Sequence, residues 1–397
     1  MPEPKSDRAA PPSLPRAALP RVVIITGGSS GIGRCTAGLF ARRGWSVGLI
    51  ARGPAGLRAA LDDVRAAGGA GAVAVADVAD ATALEQAARA LTAQLGPADA
   101  WINAAGNGVY GRLLDVPEAE FRRVTDVTYM GTVNGVRAAL RIMLPRDAGA
   151  IVNVCSGIVF HGLPLMSSYV GAKAAVRGFG QSIQVELKLA RSRVRLATVF
   201  PPAVNTPFFS HAPSYMGFPA RPVPPVYQPE IVAEALYLAA TGRCREMTVT
   251  SVVTAFSWVA RLSPALAAWL MGRLRFDAQL SRDPAALAAE EPCLFRPPSR
   301  VLGVRGPFNH RARGWSAQVR LLGLLQRISA RPDAGLTPAS GTALPAPSGA
   351  ETAPQAPSGA GMAPQAPGSP SRPAPAAPCP APACSGAPAD AASGRPR

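Results

Sequence analysis

Two spacings of apolar residues alternate along the first two thirds of the chain. Short, mainly apolar runs at 21–25, 46–50, 73–76, 100–103, 150–154 and 194–200 are rich in Val, Ile and Ala. Runs of this length with no polar alternation predict strands buried on both faces. Between them, apolar positions recur at helical spacing. Ala37, Leu39, Phe40 and Ala41 lead to a stop at Gly44, and further helical patterns cover 81–95 and 118–144. Tyr169, Ala172, Val176, Phe179 and Ile183 define another, and one more starts near Pro229. Repeated strand–helix units predict a parallel sheet with helices on both faces, an α/β doubly wound fold. Ligands of such sheets collect at the carboxyl ends of the strands.

The polar and glycine-rich groups fall at those ends. Thr26-Gly27-Gly28-Ser29-Ser30-Gly31-Ile32-Gly33 joins the first strand directly to the first helix. Glycines there allow positive φ and close approach of the backbone to a pyrophosphate, and the helix N-terminus offers unpaired N–H groups and a favourable dipole. The second strand ends in Ala51-Arg52 where an NAD site carries an acidic residue, and Arg34 adds charge nearby. An arginine at this place suits a 2′-phosphate, so NADP (NADPH) is expected over NAD. Tyr169 and Lys173 stand four residues apart in one helix and share a face. A neighbouring cation stabilises phenolate, so the pair is expected to make the phenol a usable acid or base near neutral pH.

Together these residues resemble the short-chain dehydrogenase/reductase family over roughly 21–250. The resemblance rests on the 26–33 turn, Asp77 after the third strand, Asn103-Ala104-Ala105-Gly106 after the fourth, and Ser156 thirteen residues before Tyr169. It implies a Rossmann-type fold and hydride transfer between a nicotinamide cofactor and an alcohol/ketone pair. It further implies that Ser156, Tyr169 and Lys173 are catalytic. Tyr169 would be the general acid or base, Ser156 would hold the substrate oxygen, and Lys173 would bind the nicotinamide ribose. By the same resemblance Gly27, Ser29, Ser30, Gly31 and Ile32 would surround the cofactor phosphates, and Asp77 and Val78 the adenine. Asn103 would brace the central strands, with Ala104 and Gly106 against the adenosine ribose. Pro201, Val204 and Thr206 would hold the carboxamide. Members commonly assemble as dimers or tetramers, so a homo-oligomer is expected.

Three positions depart from the family pattern. Ala104 replaces the second asparagine of Asn-Asn-Ala-Gly, and Pro202 replaces a glycine. Thr128 stands where the family usually carries an asparagine that holds a water linking the lysine to solvent. The shorter hydroxyl leaves a rival reading open, a dinucleotide-binding regulator or scaffold with weakened catalysis. The loop after Thr206, with Phe208, Phe209, His211, Tyr215, Met216 and Phe218, has the apolar character of a lid over a hydrophobic substrate, although the two phenylalanines could equally pack the core. No histidine is needed for the chemistry, so His211 is expected to be structural.

Composition changes the picture mainly beyond residue 250. The 397 residues carry 41 Lys and Arg against 24 Asp and Glu, a formal charge of +17. The excess concentrates in arginines at 296, 300, 305, 311, 313, 320, 327 and 331. A basic arm of this kind can bind nucleic acid or anionic lipid, but no nucleic-acid motif accompanies it. The stretch 248–275 is strongly apolar, with Trp258 and Trp269, yet Arg261 and Pro264 interrupt it, and it is too short and broken to span a bilayer. It could lie on a membrane surface, cover the pocket or form a subunit contact. Six scattered cysteines and three histidines give no metal-site spacing, and free thiols in a reducing, cytoplasmic setting are expected. The organisation expected is thus a disordered leader (1–20), a nucleotide-binding catalytic domain (21–250), an apolar then basic helical extension (251–330) and a disordered Ala/Pro-rich tail (331–397).

Overall fold

The computed structural model describes residues 20–273, 276–281 and 292–329. The expected leader before Pro20, the tail from 331 and Arg275 lie outside them. At its centre seven parallel strands pair in the order β3-β2-β1-β4-β5-β6-β9. They are β1 (Val22–Thr26), β2 (Ser46–Ala51), β3 (Gly71–Val75), β4 (Ala100–Asn103), β5 (Ala150–Val154), β6 (Arg195–Phe200) and β9 (Glu246–Thr248).

Alternate residues of each central strand enter two separate cores. Val23, Ile25, Val47, Leu49 and Ile102 face α1 (Gly31–Arg42), α2 (Pro54–Ala66) and α7 (Pro229–Thr241). Ile24, Ile50, Trp101 and Ile151 face α3 (Ala81–Leu95), α5 (Gly131–Met143) and α6 (Ser167–Leu189). The strands read as continuous apolar runs because both of their faces are buried. The chain leaves β1 toward β2 on one side and later returns to place β4 on the other. The crevice between β1 and β4, at their carboxyl ends, is therefore where a ligand has room.

The helical pattern over 118–144 is not one regular helix. It comprises α4 (Glu118–Thr125), a π-helical turn (Asp126–Met130) and α5. π turns concentrate at functional sites, and this one contains Thr128. The apolar stretch after 250 breaks at Ser263 into α8 (Ser251–Leu262) and α9 (Pro264–Arg273). Pro264 supplies no N–H and fits the first turn of a new helix. No helix among the described residues is long and apolar enough to cross a membrane. Further on, short strands β7 (Ala203–Val204), β8 (Val226–Tyr227) and β10 (Ala312–Arg313) form a small parallel sheet, and α10 (Ala317–Ser329) packs against α7.

A buried polar chain ties the central strands. Trp101 Nε1 donates to Asn103 Oδ1 at 2.8 Å, and Asn103 Nδ2 donates to Asn153 Oδ1 at 2.9 Å. A side chain on Gly135 would fall 2.0 Å from Asn103 Oδ1, so a residue without Cβ is required beside it. Asn103→Ala would leave the Trp101 donor and the Asn153 acceptor buried without partners. We expect a loss of about 3 kcal/mol in unfolding free energy, read by denaturant titration.

Candidate active site

The carboxyl ends of β1, β2, β4, β5 and β6 open into one cavity of about 620 Å³. Apart from Asn103, which sits behind the wall in the polar chain just described, every residue expected to bind cofactor or perform catalysis lines it: Gly27, Ser29, Ser30, Gly31, Ile32, Arg52, Asp77, Val78, Ala104, Gly106, Ser156, Tyr169, Lys173, Pro201, Val204 and Thr206.

The glycine turn is shaped by what surrounds it. Gly27 has φ +69°, and a Cβ there would lie 2.7 Å from the Ala105 backbone. A Cβ on Gly33 would lie 2.2 Å from the Gly27 oxygen, so strand and helix approach as closely as backbones can. Ser30 stands at the N-cap of α1, and its side chain makes no capping bond. The cradle suits a dinucleotide: the first turn of α1 lies at the cavity wall without a side-chain cap, its Gly31 N–H donating to the Gly303 carbonyl at 3.1 Å. A Cβ on Gly106 would intrude on the cleft 3.5 Å from Lys173 Nζ.

Helix α6 carries the Tyr169–Lys173 pair into the cavity. Lys173 is almost fully buried, and its Nζ donates to the Val154 carbonyl at 2.7 Å, at the end of β5. Burial pulls its pKa down to about 8. The same burial pushes the Tyr169 phenol above its ordinary value, and hydrogen bonding with Ser156 opposes this. Here the expectation from spacing alone is only half met. The two side chains share one face and one cavity, with Nζ 5.7 Å from the Tyr169 ring centre, but burial, with Cys155 adding to it, raises the phenol, and Lys173 does not lower it. The Ser156 hydroxyl also accepts from the Ile158 N–H at 3.4 Å, which holds it at the start of a short 3₁₀ turn. Cys155, beside Lys173, has its thiol raised to about 11 by burial.

Thr128 is fully buried, and its hydroxyl is committed to Asn107. It accepts from the Asn107 N–H and donates to the Asn107 carbonyl, both at 3.2 Å. Asn107 is a cavity residue that sequence reading missed. Its Nδ2 is buried and has no acceptor among the described residues. The available signal was a polar side chain directly after Ala-Ala-Gly at a strand end. The two loop phenylalanines both face the cavity and pack in an apolar cluster. Phe208 and Phe209 line the cavity and pack with Tyr110, Leu165 and Met166, and the Phe208 ring lies 5.5 Å from that of Tyr169. His211 lies on the same wall, its Nδ1 3.3 Å from Cys293 Sγ.

The adenosine end differs most from expectation. Arg52 reaches the cavity wall, but its guanidinium donates to the carbonyls of Cys293 (2.6 Å) and Leu294 (3.1 Å). Asp77 accepts from the Ala79 N–H and pairs with Arg123, which also donates to the Leu294 carbonyl. Sequence reading missed Arg123 because it lies 46 residues from Asp77, on α4. Burial and the neighbouring Arg123 both depress the Arg52 pKa. Two guanidinium groups here face one carboxylate.

Comparison with known proteins agrees with this geometry. The family model described as short chain dehydrogenase matches residues 21–215. An uncharacterized oxidoreductase of Bacillus subtilis, YxnA, is 32% identical over 267 residues, covering 67% of this chain and 75% of its own. The chain belongs to the short-chain dehydrogenase/reductase family of oxidoreductases. Among solved structures, an alcohol dehydrogenase of the archaeon Thermococcus sibiricus complexed with 5-hydroxy-NADP is similar at 27% identity and TM-score 0.51, covering 57% of this chain and 95% of that one. A variant of the actinorhodin polyketide ketoreductase with NADPH is similar at 27% identity and TM-score 0.52, over 58% and 95%.

The buried lysine makes stability depend on pH. Unfolded lysine titrates near 10.4, whereas the folded group titrates near 8. Between these values the unfolded chain binds more protons, so stability should rise with pH, by up to about 1 kcal/mol per unit. Denaturant midpoints measured from pH 7.5 to 10 should show this rise, and Lys173→Met should remove it.

Proposed function

We propose that the protein interconverts an alcohol and a ketone or aldehyde on a hydrophobic substrate, with NADP as cofactor. The observation that carries this reading is the convergence of Ser156, Tyr169 and Lys173 with the glycine turn on one cavity. When bound, the nicotinamide supplies or accepts the hydride. The chain's residues do the rest. Lys173, fixed by Val154, would hold the ribose of the nicotinamide half. Ser156 would donate to the substrate oxygen, and Tyr169 would give that oxygen a proton during reduction or take one during oxidation. The substrate would sit against Phe208, Phe209, Val253, Phe256 and Met271, an apolar wall suited to a hydrophobic carbonyl compound.

Preference for NADP is supported by the cationic corner formed by Arg52 and Arg123 and by the lack of an acidic residue at the end of β2. A 2′-phosphate would enter where main-chain carbonyls now meet Arg52. The hydroxyl of Thr128 is spent on holding Asn107 at the cavity wall, and turnover decides between the enzyme and the non-catalytic rival. Tyr169→Phe should bind NADPH normally yet lose at least about a hundredfold in turnover with hydrophobic ketones. Near wild-type turnover in that variant would refute the proton-transfer role, and NADPH binding with no turnover across a broad ketone panel would favour the regulator.

A second reading concerns where such a substrate is met. Helices α8 and α9 are apolar on more than one side. Val253, Phe256 and Met271 line the cavity, while Trp258, Leu262, Leu266 and Trp269 are exposed. Arg261 and Arg273 lie over the rings of Trp258 and Trp269, and no carboxylate occurs between Glu246 and Asp277. We propose that this pair of helices rests on an anionic lipid surface. Vesicles containing phosphatidylserine should sediment the protein, those of phosphatidylcholine alone much less, and a Trp258→Ser/Trp269→Ser variant should stay in solution. Equal behaviour of wild type and variant, or burial of this face in a homo-oligomer detected by light scattering, would overturn it.

A further inference from the structure

The arginine-rich stretch that begins near 292 has no sequence motif to explain it, and its first part does not form a separate arm. It crosses the mouth of the dinucleotide cleft. At the adenosine end the carbonyls of Cys293 and Leu294 accept from Arg52, and that of Leu294 also from Arg123. At the other end the Leu302 carbonyl accepts from Arg34 at 2.9 Å, and the Gly303 carbonyl from the Gly31 N–H at 3.1 Å. Beyond it, the Gly306 N–H donates to the Asn205 carbonyl, and Asn205 Oδ1 accepts from the Phe308 N–H at 3.0 Å. The segment is thus tied to the rim on both sides of the glycine turn.

Its composition matches its position. From 292 to 329 there is no Asp or Glu. The arginines that face the cleft from the nucleotide-binding half are engaged: Arg34 with Asp63, Ala59 and Leu302, and Arg52 with the carbonyls already named. Arg305 of the crossing segment pairs with Glu230 at 2.7 Å. Arg300 differs. It lines the main cavity and also a shallow recess beside Pro207, Ser210 and His211, and it has no hydrogen-bond or ion-pair partner among the described residues. Arg300 is exposed to solvent at the wall of a cleft whose floor is a helix N-terminus and a glycine turn, where a phosphate would complement its guanidinium.

We propose that Arg300 is a phosphate ligand of the bound dinucleotide, carried across the cleft by the segment 292–308. The proposal rests on the dinucleotide reading above and adds a residue outside the strand–turn–helix cradle. Arg300 lies between the glycine turn and the lid, so it would serve the pyrophosphate common to NADPH and NADH. Arg52 would serve the phosphate that distinguishes them.

Titration of the full chain with NADPH and with NADH, followed by fluorescence, separates these roles. Arg300→Gln should weaken both dinucleotides by a similar factor, roughly tenfold, and Arg300→Lys should recover part of the loss. Arg52→Gln should weaken NADPH selectively. Limited trypsin digestion of the wild type gives a second readout, since cleavage after Arg300 should slow when NADPH is present. Wild-type affinity for both dinucleotides in a folded Arg300→Gln variant would overturn the proposal. So would cleavage after Arg300 that is indifferent to NADPH, which decides the matter should the variant fail to fold. A wild-type protein that bound neither dinucleotide would instead bring down the dinucleotide reading, and this proposal with it.

Discussion

The site is built around a buried cation. Lys173 Nζ sits 2.7 Å from the Val154 carbonyl, at the carboxyl end of β5, with almost none of the side chain exposed. Burying an ammonium with a single neutral acceptor is costly, and the depressed pKa is the visible sign of that cost. The contact nevertheless determines the geometry. It pins the first turns of α6 against the end of the sheet, so that Tyr169, four residues earlier, projects over the same cavity. Ser156, two residues past Val154, reaches that cavity from the strand side. One hydrogen bond between a helix and a strand end thereby brings three side chains from two elements to one point. The desolvation cost of this group is offset in the two apolar cores.

Much of this was legible in the sequence, for definable reasons. Strands buried on both faces leave unbroken apolar runs, and the six predicted runs coincide with six of the seven strands of the sheet. The seventh, β9, is only three residues at an edge and leaves too short a signature. The glycine turn and the Tyr169–Lys173 pair are local patterns, set by spacings of a few residues, and local geometry follows from them directly. Asn103 was legible as a brace only through the family resemblance of Asn103-Ala104-Ala105-Gly106.

The features that sequence did not reveal depend on distance along the chain or on competition between terms of opposite sign. Arg52 meets Cys293 and Leu294, 241 and 242 residues away, and no local pattern records that closure. Spacing placed a cation near Tyr169 but said nothing of how deeply both groups are buried, and burial decides the direction in which the phenol shifts. The π turn at Asp126–Met130 adds no residue type that breaks a helical pattern, so the periodicity of 118–144 looked regular.

Thr128 shows how a local departure and a tertiary device combine. A threonine in place of a carboxamide reads as a loss when taken alone. In the fold its hydroxyl grips the backbone of Asn107 through both its donor and its acceptor capacity. Asn107 then presents to the cavity wall an amide with no protein acceptor for Nδ2. A carboxamide therefore stands at the cavity wall on the strand-end loop, held by the backbone contacts of Thr128. Substitution on α6's neighbour and polarity after Ala104-Ala105-Gly106 are two halves of one arrangement, and reading either without the other misjudges the site.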